Sequence, residues 1–191
     1  MSTKTDNGNI ESKLVLRRHF LELYHAGSRP SVLDCCAGEQ KIWKALRETY
    51  DVNYLGLDKK GISGTLKMDS VDYLRRGHGS LFDVVDIDTY GSPFRHLAAF
   101  VRYMKKPATV FLTFGAKGVG RVHGEALTAL GIDYPLPVAI AIAVVEERLG
   151  DVIGGMVHPH VCEYAMESSP GESVCRPTRY VGLRIAPHDC A

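Results

Sequence analysis

The chain has 191 residues, 45% of them hydrophobic, and its 23 Lys+Arg against 22 Asp+Glu leave a net charge of +1. That length and apolar content support one domain with a full core and exclude a disordered or low-complexity polymer. The charge balance excludes a globally basic nucleic-acid binder, so any basic surface must be local. Five cysteines, with Cys35 and Cys36 adjacent, do not make a secreted disulfide framework. No signal peptide opens the chain, and the apolar run over residues 135–145 is too short to span a bilayer. A cytoplasmic, non-membrane protein is expected.

In chain order, residues 1–12 are polar and predict a flexible tail, leaving 13–191 as a single domain. Residues 13–26 predict an amphipathic helix: Leu14, Leu16, Phe20, Leu21, Leu23 and Tyr24 cluster while Arg17, Arg18 and Glu22 face out. A strand over 31–34 ends at Asp34, and a helix over 39–50 follows. A second strand, 52–57, runs into Asp58, and a short third, 65–68, into Asp69. Ser70 is placed to cap a helix over 71–76. The fourth strand covers 81–87, the next helix 93–104 with Ser92 as cap and Pro93 at its first position, and the fifth strand 108–114. Alternation with short connections predicts an α/β fold with a doubly wound, mostly parallel sheet. Beyond it come a Gly- and Lys-rich loop, helical pieces at 125–130 and 136–149, and two long segments, 157–167 and 179–185, that predict a closing antiparallel hairpin.

Strand ends in such a sheet carry the ligand groups. The first motif, Val32-Leu33-Asp34-Cys35-Cys36-Ala37-Gly38, is a strand entering a tight turn of small residues, which lets backbone approach a ligand. An ordinary strand-to-helix turn has the same pattern, and Gln40 stands where a second glycine is usual. Asp58, 24 positions after Asp34, has the spacing of an acid that accepts hydrogen bonds from ribose hydroxyls; beside Lys59 and Lys60 it also reads as a solvated turn aspartate. On the fourth strand Asp86 and Asp88 are two apart and share a face. Tyr90 and Gly91 follow at once. An acid beside an aromatic suits a flat ring bearing an amino group, the carboxylate accepting the amino hydrogens and the aromatic stacking on the ring.

Over roughly residues 30–115 the order of these motifs resembles class I S-adenosylmethionine (SAM)-dependent methyltransferases. The segment Asp86-Ile87-Asp88-Thr89-Tyr90-Gly91-Ser92-Pro93 resembles the Asp-Pro-Phe-Gly-Ser-Pro segment of the tRNA guanine-N2 dimethyltransferase family. It is more loosely similar to the Asp/Asn-Pro-Pro-Tyr motif of nucleic acid amino methyltransferases. The resemblance implies a Rossmann-like domain that uses SAM as cofactor and methylates an exocyclic amine of RNA or DNA. It implies Asp34, Cys36, Ala37 and Gly38 at the methionyl end of the cofactor, Asp58 and Lys59 at its ribose, Asp69 and Ser70 at its adenine, and Asp86 organising the same site. By the same resemblance Asp88, the Thr89 carbonyl and Tyr90 carry catalysis, the first two holding the amine and Tyr90 stacking on the base. Thr89 stands where that family has proline, which stiffens the turn.

Phe114 and Phe94 are candidates for walling the substrate pocket, Gly91 for binding substrate beside Tyr90, and Lys117 and Arg121 in the loop after the fifth strand for holding a substrate phosphate. A nucleic-acid substrate and a partner subunit for target recognition are the expected partners. His158, His160 and Cys162 alternate, but no second Cys or His pair stands at finger-like spacing, so no metal is expected. Trp43 reads as core. The alternatives are a methyltransferase for a small molecule or protein, or a SAM-binding module without catalysis. A dinucleotide-dependent oxidoreductase fits less well, because residues 34–40 lack the Gly-x-Gly-x-x-Gly fingerprint.

Overall fold

The computed structural model describes residues 10–89, 93–114, 155–164 and 178–187. Seven strands form one sheet in the order β3-β2-β1-β4-β5-β7-β6. They are β1 (Ser31–Asp34), β2 (Asn53–Asp58), β3 (Leu66–Lys67), β4 (Val84–Ile87), β5 (Ala108–Phe114), β6 (Gly155–Tyr164) and β7 (Thr178–Pro187). The first five are parallel; β7 runs antiparallel between β5 and β6. The doubly wound sheet and its closing hairpin are as the sequence predicts. The strand order reverses between β1 and β4, which opens a crevice at their carboxyl ends.

Period-2 alternation sends neighbouring residues to opposite faces. Leu33, Val85 and Ile87 enter one core with Val71 and Leu74 of α3 (Ser70–Arg75) and Phe94, Leu97 and Phe100 of α4 (Phe94–Val101). Val32 and Val84 enter the other, with Leu14, Phe20 and Leu21 of α1 (Ile10–His25) and Trp43 and Leu46 of α2 (Lys41–Leu46). Two residues further along β1 and β4, that second face therefore receives Asp34 and Asp86, which are register partners on adjacent strands.

Several local expectations change. The first helix begins at Ile10, so Ile10–Ser12 are helix rather than tail. Arg17, expected outside, is 1% exposed, while Leu23, expected inside, is 53% exposed. The acids on the strands beneath explain the first reversal. Asp69, not Ser70, caps α3: its carboxylate accepts from Val71 N and Asp72 N. The second helix is a short one, because Gln40 before it is left-handed (φ 59°) and turns follow it. The fourth strand starts late, after Asp83 accepts from Ser31 N and Ser31 Oγ and turns the chain into the sheet. The fourth helix is also shorter than expected, and Pro93 stands at its N-cap position. The helices expected at 125–130 and 136–149, and Ser92, lie outside the described residues. No helix among the described residues is long and apolar enough to cross a membrane.

The first helix lies across the antiparallel edge. Phe20, fully buried, meets Phe111 edge-on at 5.4 Å. It also covers Gly182, where an added Cβ would run into the Phe20 ring at Cε2. Gly182→Ala should therefore overpack this contact and destabilise the protein by about 1–3 kcal/mol. Urea unfolding measures the loss; a midpoint unchanged from wild type would mean that the helix is not seated on β7 as described.

Candidate active site

Three carboxylates converge where β1 and β4 end. Asp86 is 1% exposed. It accepts from Arg17 Nη2 through Oδ1 and from both Arg17 Nε and Trp43 Nε1 through Oδ2, each at 2.7 Å. Arg17 Nη1 donates back to the Lys13 carbonyl at 3.0 Å, and the guanidinium lies 4.9 Å from the Phe111 ring centroid. One helical turn earlier, Lys13 Nζ donates to Asp88 Oδ2 at 2.6 Å. The match is geometric. Residues i and i+4 on a helix are about 6 Å apart along its axis, and residues i and i+2 on a strand about 6.6 Å. So Lys13 and Arg17 address Asp88 and Asp86 in step.

Asp34 accepts from Cys36 N at 3.2 Å through Oδ1 and from Tyr54 Oη at 3.0 Å through Oδ2. Burial, and then the neighbouring charges of Asp86 and Asp88, push its pKa well above the usual carboxylate range. Burial also pushes on Asp88, but Lys13 and Arg17 more than offset it and hold that pKa below its ordinary value. Asp88 is thus a fixed acceptor at neutral pH, not a poised general base. The Cys36 thiol, pushed up to about 12 by burial and by Asp34, is no nucleophile at neutral pH.

A narrow cleft of about 40 Å³ opens among Asp34, Cys36, Ala37, Gln40, Asp86 and Asp88. A ligand there can seat one small group against the carboxylates and must otherwise lie over the open strand ends. The turn under the cleft is tight: Gly38 has φ 48°, and Gln40 is the only non-glycine of positive φ among the described residues. That conformation disfavours a side chain, which accounts for the glycine usual at the position of Gln40. Gln40 is held there by its Nε2 donating to the Ser63 carbonyl at 3.0 Å. The donor set suits a cation. Asp86 and Asp88 are paired with Arg17 and Lys13, which leaves Asp34 as the carboxylate of the three without a cation among the described residues. That residual negative charge disfavours a pyrophosphate and suits SAM, which brings a sulfonium and an ammonium, so the residues present fit SAM better than a dinucleotide.

The remaining expected residues fall in three groups. Asp58 ends β2 with Oδ1 accepting from Lys60 N at 2.6 Å, and its Oδ2 has no hydrogen-bond partner among the described residues. Lys59 pairs with Asp69 Oδ2 at 2.7 Å, so both are engaged with each other and the α3 cap. Ser70 Oγ bonds His96 Nε2 at 2.9 Å. Asp86, expected to organise the cofactor site, lines the cleft with both oxygens held by Arg17 and Trp43; Trp43 is core, as expected, but also a donor. Thr89 is buried, its Oγ1 without a partner among the described residues. Tyr90, Gly91, Lys117, Arg121 and the Phe114 side chain lie outside the described residues. Sequence reasoning missed Lys13, Arg17 and Tyr54. The signal for the first two was a pair of basic residues at i, i+4 inside an apolar stripe.

No protein-family model matches the chain, and no curated protein is significantly similar to it. Solved structures do match. TYW2 from M. jannaschii, in complex with AdoMet, superposes with a TM-score of 0.56 at 12% identity, over 97% of this chain and 79% of that one. The 16S rRNA (adenine(1408)-N(1))-methyltransferase from Catenulisporales acidiphilia gives 0.51 at 12%, over 100% and 97%. Trm1 from Pyrococcus horikoshii, in complex with SAM, gives 0.51 at 13%, over 93% of this chain but only 54% of that one. The chain therefore has the class I SAM-dependent methyltransferase fold and spans about half the length of Trm1.

Proposed function

We propose that the protein is a SAM-dependent N-methyltransferase acting on an exocyclic amino group of a nucleobase, in a tRNA-like RNA or in DNA. The observation that carries this is Asp88: an ionised acceptor just past the end of β4, beside a cation-accepting cleft, on the fold of SAM-dependent methyltransferases. In this reading Asp34 and the Cys36–Ala37–Gly38 turn hold the methionyl end of SAM, and Asp58 Oδ2 accepts from the ribose. Asp69 and Ser70 edge the adenine.

When bound, SAM supplies a methyl group already activated by its positive sulfur. The chain's own residues have to align a nucleophile with it. Asp88 and the Thr89 carbonyl hold the amine hydrogens so that the nitrogen lone pair faces the methyl. Tyr90 stacks on the base, with Gly91 and Phe114 beside it, and Lys117 and Arg121 take a substrate phosphate. The amine proton leaves to solvent after the bond forms, because Asp88 binds protons too weakly to keep it.

Calorimetric titration with SAM and with S-adenosylhomocysteine, on wild type and Asp58→Ala, tests the cofactor assignment. Saturable binding is expected, weakened about tenfold or more by loss of a charged hydrogen-bond acceptor. A well-folded protein that binds neither compound would overturn the reading. Transfer of labelled methyl to tRNA, rRNA and DNA pools then separates the polymers.

A further inference from the structure

The charges around the cleft can be counted. Asp34, Asp86 and Asp88 face Arg17 and Lys13, and Lys41, which also lines the cleft, is paired with Glu39, leaving one net negative charge when Asp34 is ionised. SAM brings one net positive charge: a sulfonium and an ammonium against one carboxylate. With SAM in place the cluster is neutral. A cationic target would then add a buried charge with no partner, which is costly; a neutral aromatic amine would not. Lys13 is what closes this balance. Its side chain is 11% exposed and that of Asp88 22%, so the pair is largely shielded from water. Lys13 occupies only Oδ2, and Oδ1 of Asp88 has no hydrogen-bond partner among the described residues. Thr113 sits on the neighbouring strand, its buried hydroxyl near enough to lower the Asp88 pKa yet in hydrogen-bond geometry with no described group. An acceptor with its charge cancelled and one oxygen open is suited to an N–H of a neutral group.

We infer that Lys13 is a positioning residue that sets the charge class of the target: by neutralising Asp88 it reserves the pocket for a neutral amino group, as on a nucleobase, and turns away an alkylammonium such as a lysine side chain. The inference rests on the SAM-site reading above and adds to it the residue that selects the substrate class.

The test needs no substrate. Sinefungin carries a primary ammonium on carbon where SAM has its methylated sulfur, whereas S-adenosylhomocysteine carries no charge there. Both are titrated calorimetrically into wild type, Lys13→Met, Lys13→Gln and Lys13→Arg. Any preference for sinefungin that comes from Asp34 is common to all four proteins. Freed of Lys13, Asp88 should raise that preference about tenfold or more in the Met and Gln variants, while Lys13→Arg keeps the wild-type ratio. An unchanged ratio in whichever of the Met and Gln variants folds overturns the inference and leaves the cofactor site standing. So does a ratio that Arg shifts as far as Met, since packing and not charge would then be responsible. Failure of wild type to bind either ligand overturns the SAM-site reading itself, and the inference with it.

Discussion

Asp88→Asn is expected to abolish methyl transfer, by about a hundredfold or more, while leaving the SAM dissociation constant within about threefold of wild type. Asparagine keeps the shape but loses the charge that holds Lys13 Nζ at 2.6 Å, and its amide can present a donor where the target amine needs an acceptor. Misaligning the nucleophile by an ångström is enough for a loss of about 10²-fold. Asparagine is the better probe than alanine, because alanine would leave the Lys13 ammonium in a largely buried site without its carboxylate. Single-turnover transfer of labelled methyl, beside calorimetry with S-adenosylhomocysteine, separates the two effects. If binding and transfer fall together, Asp88 belongs to the cofactor and the division of labour between Asp34 and Asp88 is wrong.

Arg17→Met is expected to be the most destabilising single change at this site, costing about 3–5 kcal/mol. It removes a bidentate partner from a carboxylate that is almost fully buried, leaving Trp43 Nε1 as the only side-chain donor to Asp86 among the described residues. Asp34, directly opposite Asp86 in the register, would then face an unbalanced charge. Against a total stability of roughly 5–15 kcal/mol, the loss can leave much of the protein unfolded at 37 °C. The double variant Arg17→Met with Asp86→Leu removes both charges and should recover most of the loss, since apolar replacement of a buried pair is often neutral. Urea unfolding of the two single variants and the double variant closes the cycle. A cost below about 1 kcal/mol for Arg17→Met would show that the pair is hydrated rather than buried.

The two outcomes bear on one structural idea. Lys13 and Arg17 connect a single helix to the two acids at the end of β4, so the stability of the fold and the proposed amine seat share a helix face. On the proposed reading Asp88 is the acceptor for a neutral amine, and the helix keeps it ionised yet electrically quiet with side chains one turn apart.

The alternation of strands and helices, the parallel sheet with its antiparallel hairpin, and the acids at the ends of β1, β2 and β4 are legible in the residues alone. These features are local: apolar runs of strand length, turn residues and amphipathic periods are each contained within a short window of chain. Four features emerge from packing instead: Arg17 points inward, Asp86 is consumed by Arg17 and Trp43, Asp69 caps α3 while paired to Lys59, and Gln40 adopts a glycine-like conformation. What separates the two sets is distance along the chain. Arg17 and Asp86 are 69 residues apart, and a helical-face count treats an arginine as outward unless it includes the buried carboxylates beneath it. Burial of charge is settled by what lies opposite, and what lies opposite Arg17 is fixed by the register of β1 and β4 and by the seat of α1 on the sheet.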